Sequence, residues 1–280
     1  MEIFDGVSEG VLRFTIFASV LVLMASLEFI VPRRTLTAPK IKRWATNFLI
    51  VGIDTAFVRA MGALAIPLAA VATAIWAEGA GWGLFNLTGW PLWLEVILAI
   101  IILDFAIWLQ HVASHKIPAL WRLHQMHHAD IDIDVSTAIR FHPFEIALSM
   151  IWKIVCVLAL GPAALAVVLF EVLLNASAMF NHANIKLPIW LDSALRRVIV
   201  TPDMHRIHHS VVRREHDTNY GFALSIWDRW LGTYTAEPAG GQTGMTIGLP
   251  DYQSPEPTKL LWSLTLPFRR LAKGDGARDS

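Results

Sequence analysis

Four stretches of this chain are too long and too apolar to be ordinary core segments of a soluble domain: residues 15–31, 45–76, 92–112 and 144–180. A helix needs about 20 apolar residues to cross the hydrocarbon of a bilayer. With 55% hydrophobic and only 16% charged residues over 280 positions, the sequence reads as an all-α polytopic membrane protein. The N-terminal run has no small-residue cleavage site after it and reads as an anchor, not a removable signal. Residues 45–76 contain Asp54 and Arg59 and are long for one passage, so a single crossing and a hairpin both stand. Arg33, Arg34, Lys40, Lys42 and Arg43 crowd the first connection, whereas 79–89 has no Lys or Arg, which puts the first connection in the cytoplasm. Histidine clusters flank 144–180 on both sides and meet only if that region crosses an even number of times. Gly161-Pro162 near its middle supplies a turn, which predicts a helical hairpin. The expected architecture has four to five transmembrane helices and a cytoplasmic helical cap.

Charge is balanced, with 23 Lys and Arg against 23 Asp and Glu, so no basic surface is available for nucleic acid. The single cysteine, Cys156, excludes an internal disulfide, a CxxC pair, a thiolate zinc cage and a haem-attachment motif. Metal chemistry here therefore uses nitrogen or oxygen. All 11 histidines fall between His111 and His216. Three clusters stand out: His111-x3-His115, His124-x2-His127-His128 and His205-x2-His208-His209. Residues three or four apart share a helix face, while neighbours diverge by about 100°. One histidine of each adjacent pair can thus face one ion and its neighbour a second. Eight imidazoles suit two ions better than one. A lone histidine is more often a hydrogen-bonded core or surface group, but eight clustered imidazoles would need many partners or repel one another if charged.

Read with their flanks, the segments DFAIWLQHVASH (104–115), LWRLHQMHH (120–128), STAIRFHPFE (136–145), FNHANIKLP (180–188), TPDMHRIHHS (201–210) and DTNYGFALSIWDRWLGTY (217–234) resemble the fatty acid hydroxylase / sterol desaturase superfamily of membrane non-haem iron enzymes, in the family's order. The resemblance divides the chain into anchor helices at 1–90, a catalytic region at 91–235 and a tail at 236–280. It implies metal ligation by His111, His115, His124, His127, His128, His182, His205, His208 and His209. Some relatives carry a further histidine four positions before the one matching His182, where this chain has Ala178. His142, in an Arg-x-His-Pro segment, reads as structural, and His216 matches no motif position and reads as a surface residue. Asp203 follows Thr201-Pro202 as a helix-start residue. Asp217, Asn219, Tyr220, Trp227 and Asp228 read as braces of the cap.

Two ions held only by neutral rings carry uncompensated positive charge, which calls for nearby carboxylates. Asp104 shares a helix stripe with Trp108, His111 and His115, and is a candidate for orienting a ligand imidazole. Glu171 and Asn175 share a stripe with Ala178 and His182, about three turns below that histidine. They are candidates for acting on turnover through a substrate channel, the bland alternative being a Glu171 pair with Arg59 or another buried polar group. The tail segment 259–271, with Trp262, Leu266, Phe268, Arg269 and Arg270, reads either as membrane-surface or as partly ordered.

Imidazole alone does not choose among iron, zinc, copper and nickel. The resemblance implies two Fe2+ ions, O2 as co-substrate and attack on a C–H bond of a bilayer lipid, ending in an alcohol or a double bond. A span starting near Leu92 places His111 at the cytoplasmic interface. No dinucleotide fingerprint follows a strand, so electrons come from outside; the family implies ferredoxin, or cytochrome b5 with a reductase. The competing reading is a histidine-rich divalent-metal transporter or metal-binding membrane protein, which would set its ligands at mid-membrane.

Overall fold

A computed structural model describes residues 2–4, 7–63 and 69–269. Apart from a two-stranded antiparallel pair, β1 (Glu2–Phe4) and β2 (Val7–Ser8), and isolated bridges, the regular structure is helical. The long helices are α1 (Glu9–Ile30), α2 (Lys40–Ala63), α3 (Ala70–Gly79), α4 (Leu92–Lys116), α5 (Pro118–His128), α6 (Pro143–Leu160) and α7 (Ala164–His182). Short helices α8 (Ile189–Leu195), α9 (Pro202–His208), α10 (Arg213–His216), α11 (Ile226–Trp230), α12 (Gly241–Gly244) and α13 (Leu260–Thr265) complete the cap. Among the described residues, four helices, α1, α4, α6 and α7, are long and apolar enough to cross a bilayer. The fold is an all-α polytopic membrane architecture.

The hairpin forms where Gly161-Pro162 predicts it. His142 caps α6 by accepting the Phe144 backbone N–H on Nδ1, and Pro143 occupies the first turn, where a missing N–H costs nothing. Gly161 ends α6 at φ 60°, a left-handed conformation glycine adopts freely. It also touches the backbone at Trp82 and Gly83, an approach any Cβ would block, and Asn86 Nδ2 donates to its carbonyl at 2.9 Å. The turn is thus clasped by the loop that follows α3.

Residues 45–76 fall on two helices. The N-terminal half of α2 meets the histidine end through Arg43 and Asn47, and the chain after α3 meets the opposite end of the bundle at Gly161. The connecting residues 64–68 lie outside the described residues. α3 packs into the apolar core between α4, α6 and α7, where Val71 and Ala74 meet Leu103, Ile107, Val157, Val167 and Phe170.

The anchor helices and the tail are bolted to the histidine-bearing loops by buried polar bonds. Arg43 of α2, 1% exposed, donates to Asp130 at 2.7 and 2.8 Å and to Asp134 at 2.6 Å. Arg140 donates to the Met126 carbonyl, to Asn47 Oδ1, to the Pro257 carbonyl and to Ser263 Oγ, at 2.7–2.9 Å. Glu28 at the end of α1 accepts the Val135 and Asn184 backbone N–H groups at 2.6 and 3.0 Å. In the tail, α13 and the turn after it sink Trp262 and Leu266 among Ile50, Trp121 and Met126. Up to Arg269 the tail is therefore part of the folded cap; 270–280 lie outside the described residues.

Candidate metal centre

The histidines converge into two adjacent buried groups. His111, His115, His124, His128 and His208 form the first, and His127, His182, His205 and His209 the second, the ligand nitrogens in each lying within 4.8 Å of one another. α4 supplies His111 and His115, α5 its three histidines, α7 the ring of His182 at its last residue, and α9 with its C-cap the last three. Helix rotation splits each adjacent pair: His128 joins one group and His127 the other, and His208 and His209 divide the same way. The groups sit at the ends of the spanning helices.

Hydrogen bonds at the outer ring edges decide what the inner edges offer. His111 Nδ1 donates to the Tyr220 carbonyl at 2.7 Å, His208 Nδ1 to the Thr218 carbonyl at 2.7 Å, His127 Nδ1 to the Arg140 carbonyl at 3.2 Å and His182 Nδ1 to the Ala178 carbonyl at 2.8 Å. A carbonyl oxygen only accepts, so each of these Nδ1 atoms carries the proton and each Nε2 presents a lone pair. His124 is held the same way by Glu145 Oε1 at 2.6 Å. Where both outer edges are held in this way, as in His111 with His124, His111 with His208 and His127 with His182, the lone pairs meet each other. Nε2 of His111 lies 3.1 Å from that of His124 and 3.0 Å from that of His208, and His124 lies 3.1 Å from His128. In the second group, His182 Nε2 is 3.1 Å from His127 and 3.2 Å from His205.

Acceptors facing acceptors in a water-poor interior are unfavourable unless a cation sits between them. Bonds of about 2.1 Å from imidazole to a first-row ion would place neighbouring ligand nitrogens about 3.0–3.4 Å apart, which fits these spacings. His209 has both ring nitrogens buried without a partner, as does His115 apart from a 3.5 Å approach of Nδ1 to Asp217. Burial pushes His127, His128, His205, His208 and His209 well below the usual histidine range, with neighbouring rings adding to the shift. The rings are therefore neutral, the form that binds metal. The residues fit two metal ions.

Carboxylates stand elsewhere than the helix stripes suggest. Asp104 accepts from Trp227 Nε1 at 2.8 Å and Leu224 N at 3.2 Å and bonds no histidine, so it ties α4 to the cap. Asp228 acts on a ligand at one remove. Its carboxylate gathers Trp108 Nε1, Thr233 Oγ1 and the Tyr220 and Gly221 backbone N–H groups at 2.7–3.0 Å, fixing the turn whose Tyr220 carbonyl holds His111. Asn219, at φ 54°, opens that turn and donates Nδ2 to the Met204 and Thr235 carbonyls. Asp203 pairs with Arg33 and Arg206, while Thr201 caps α9.

Glu171 and Asn175 do not reach the histidines. Glu171 is paired with Arg13 of α1 and Lys153 of α6, not with Arg59, and Asn175 Nδ2 donates to the Glu171 carbonyl at 2.7 Å. Arg13 comes within reach because α1 packs along α7, a neighbourhood no single-helix stripe reveals. We expect Glu171→Gln to keep metal content and product position and to lower thermal stability, since it leaves Arg13 and Lys153 short of their counter-charge. Metal loss in that variant would show that α7 couples this ion pair to the centre.

Two residues at the centre were not found by sequence reasoning. Glu145, in the first turn of α6, orients His124, and the only signal was its place at the end of the 136–145 segment. Such carboxylate partners set ring orientation and basicity, and losing one typically weakens metal binding about 10–100-fold. Glu145→Gln should show that loss in competition with a chelator; unchanged retention would reduce Glu145 to a helix-start residue. His216, expected at the surface, is 3% exposed, with ring centroids 4.4 Å from His128, 4.8 Å from His115 and 4.9 Å from Trp121. The α10 turn folds it inward.

Comparison with known proteins places this arrangement. The family model for fatty acid hydroxylases matches residues 96–233, the stretch that carries all nine histidines of the two groups. The chain belongs to the fatty acid hydroxylase superfamily. Within it, the ornithine lipid hydroxylase OlsE of Rhizobium tropici is 32% identical over 200 residues, covering 70% of this chain and 55% of that protein. The alkylglycerol monooxygenase of Homo sapiens is 30% identical over 171 residues, covering 58% of this chain and 35% of the relative. The fatty acid hydroxylase vlmA of a Lecanicillium species is 28% identical over 168 residues, covering 51% and 43% respectively. The matches thus span about half the length of the first of these relatives and about a third of the second. No solved structure matches.

Proposed function

We propose that this superfamily member hydroxylates a C–H bond of a bilayer lipid, with the nine histidines holding two iron ions. The observation that carries the reading is the facing of imidazole lone pairs at 3.0–3.1 Å, His111 with His124 and His208 in one group and His182 with His127 in the other, an arrangement that a bound cation relieves. Bound iron supplies the O2-dependent oxidation, with two electrons delivered by a separate protein such as a ferredoxin, or cytochrome b5 with its reductase. The chain's own residues hold the rings neutral and fixed in tautomer, and exclude water from them. The printed names of the relatives, an ornithine lipid hydroxylase and an alkylglycerol monooxygenase, support a lipid substrate and favour hydroxylation over desaturation.

An apolar cavity of about 450 Å³ between α4, α5 and α6 suits the tail of such a lipid. Its walls include Leu109, Ala113, Leu148 and Val155, and its polar lining residues include Gln110 and Glu145, the latter the partner of His124. Leu109, Leu148, Ile151 and Val155 are 43–50% exposed on the face that spans the membrane, so the cavity opens sideways toward lipid. The cation-rich first connection favours a cytoplasmic histidine end. Purified protein should contain two irons per chain and, with reductant, transfer label from 18O2 into a lipid hydroxyl. Absence of iron, or label-free product, overturns the proposal.

A further inference from the structure

The geometry points to a third divalent-cation position, formed by His216, His115 and Asp217 at the rim of the five-histidine group. The inference rests on the two-ion reading but concerns residues outside its nine-ligand set, apart from the shared His115. One ligand atom from each of the three residues lies within 4.8 Å of the others. His216 Nε2 is buried without a hydrogen-bond partner, and so are both ring nitrogens of His115, of which Nδ1 stands 3.5 Å from Asp217 Oδ1. Two neutral imidazoles and a carboxylate oxygen suit a first-row divalent ion such as Co2+, Zn2+ or Fe2+.

Sharing His115 does not empty the inner position. His111, His124, His128 and His208 remain there when His115 turns to the rim, enough for one ion. The rim position is the weakest of the three. Asp217 Oδ2 already faces Lys116 Nζ at 2.9 Å and Arg213 Nε at 3.0 Å, and these fixed positive charges oppose a third cation. It therefore fills last, and an ion there draws a ligand from the inner ion, so excess divalent metal acts on the centre through His115.

Equilibrium dialysis of the metal-stripped, detergent-solubilised full chain against Co2+ tests this, with visible absorption reporting each occupied position. Wild type should take up two Co2+ tightly and a third in a separate phase at higher concentration. His216→Ala should lose the third phase alone. Asp217→Asn, a milder change at a partly exposed position, should do the same and covers the case in which the buried substitution disturbs folding. Two ions in wild type, or three in both variants, overturns the rim position and leaves the two-ion reading standing. A His216→Ala protein that folds but holds only one ion also overturns it, by making His216 a ligand of an inner ion. Fewer than two ions in wild type fails both readings.

Discussion

His127→Ala and His208→Ala should each reduce lipid oxidation more than a hundredfold while leaving the protein inserted and folded. Each removes one inward Nε2, and the two belong to different groups, so metal content should fall from two ions toward one in both variants. The folded state should survive, because the outer edge of each ring contributes one bond to a backbone carbonyl, Arg140 for His127 and Thr218 for His208. A hundredfold loss corresponds to about 2.7 kcal/mol in the barrier, an ordinary effect for removing a group on which the reaction depends. Metal analysis beside a turnover assay checks it. Activity above about a tenth of wild type in either variant would remove that histidine from the ligand set.

The spans at 15–31, 92–112 and 144–180, the hairpin and the three histidine clusters were legible because each is a local pattern: apolar length, a Gly-Pro break, and imidazoles three or four apart. The division of His127 from His128 followed from helix rotation alone. The carboxylates were not legible, because their roles depend on which elements pack together. Asp104 shares a stripe with His111 and His115 yet spends its charge on Trp227, from the far end of the cap. Glu145 orients His124, and its sequence position at the start of α6 offered an adequate explanation without any metal. Glu171 found Arg13 because α1 lies along α7. His216 had no motif to mark it, and only the short α10 turn brings it against His115 and His128. Helix-face reasoning finds groups on one element and is blind to those delivered by its neighbours.

Replacing Arg43 by Ala should be among the most destabilising single changes outside the centre, lowering the unfolding midpoint in detergent by on the order of 10 °C. Arg43 is 1% exposed and its guanidinium meets Asp130, Asp134, the Asp132 carbonyl and Thr137 Oγ1 at 2.6–3.1 Å. Without it Asp130 and Asp134 stay buried with too little positive charge, and breaking a buried pair from one side costs about 3–5 kcal/mol. Asp130 would retain its Thr137 bond and the nearby Arg140, which offsets part of that cost. The consequence reaches the centre by a short path. The loop from Asp130 to Arg140 follows α5, and the Arg140 carbonyl is the acceptor that fixes the tautomer of His127. The second ion should therefore be lost more readily than the first in Arg43→Ala, with His127 released before His111, whose carbonyl anchor is the separate turn held by Asp228. Chelator-driven release of the two ions at a temperature below unfolding measures that order. Equal release of both, or a midpoint shift of only 1–2 °C, would mean that the α2 anchor and the four-histidine group are independent.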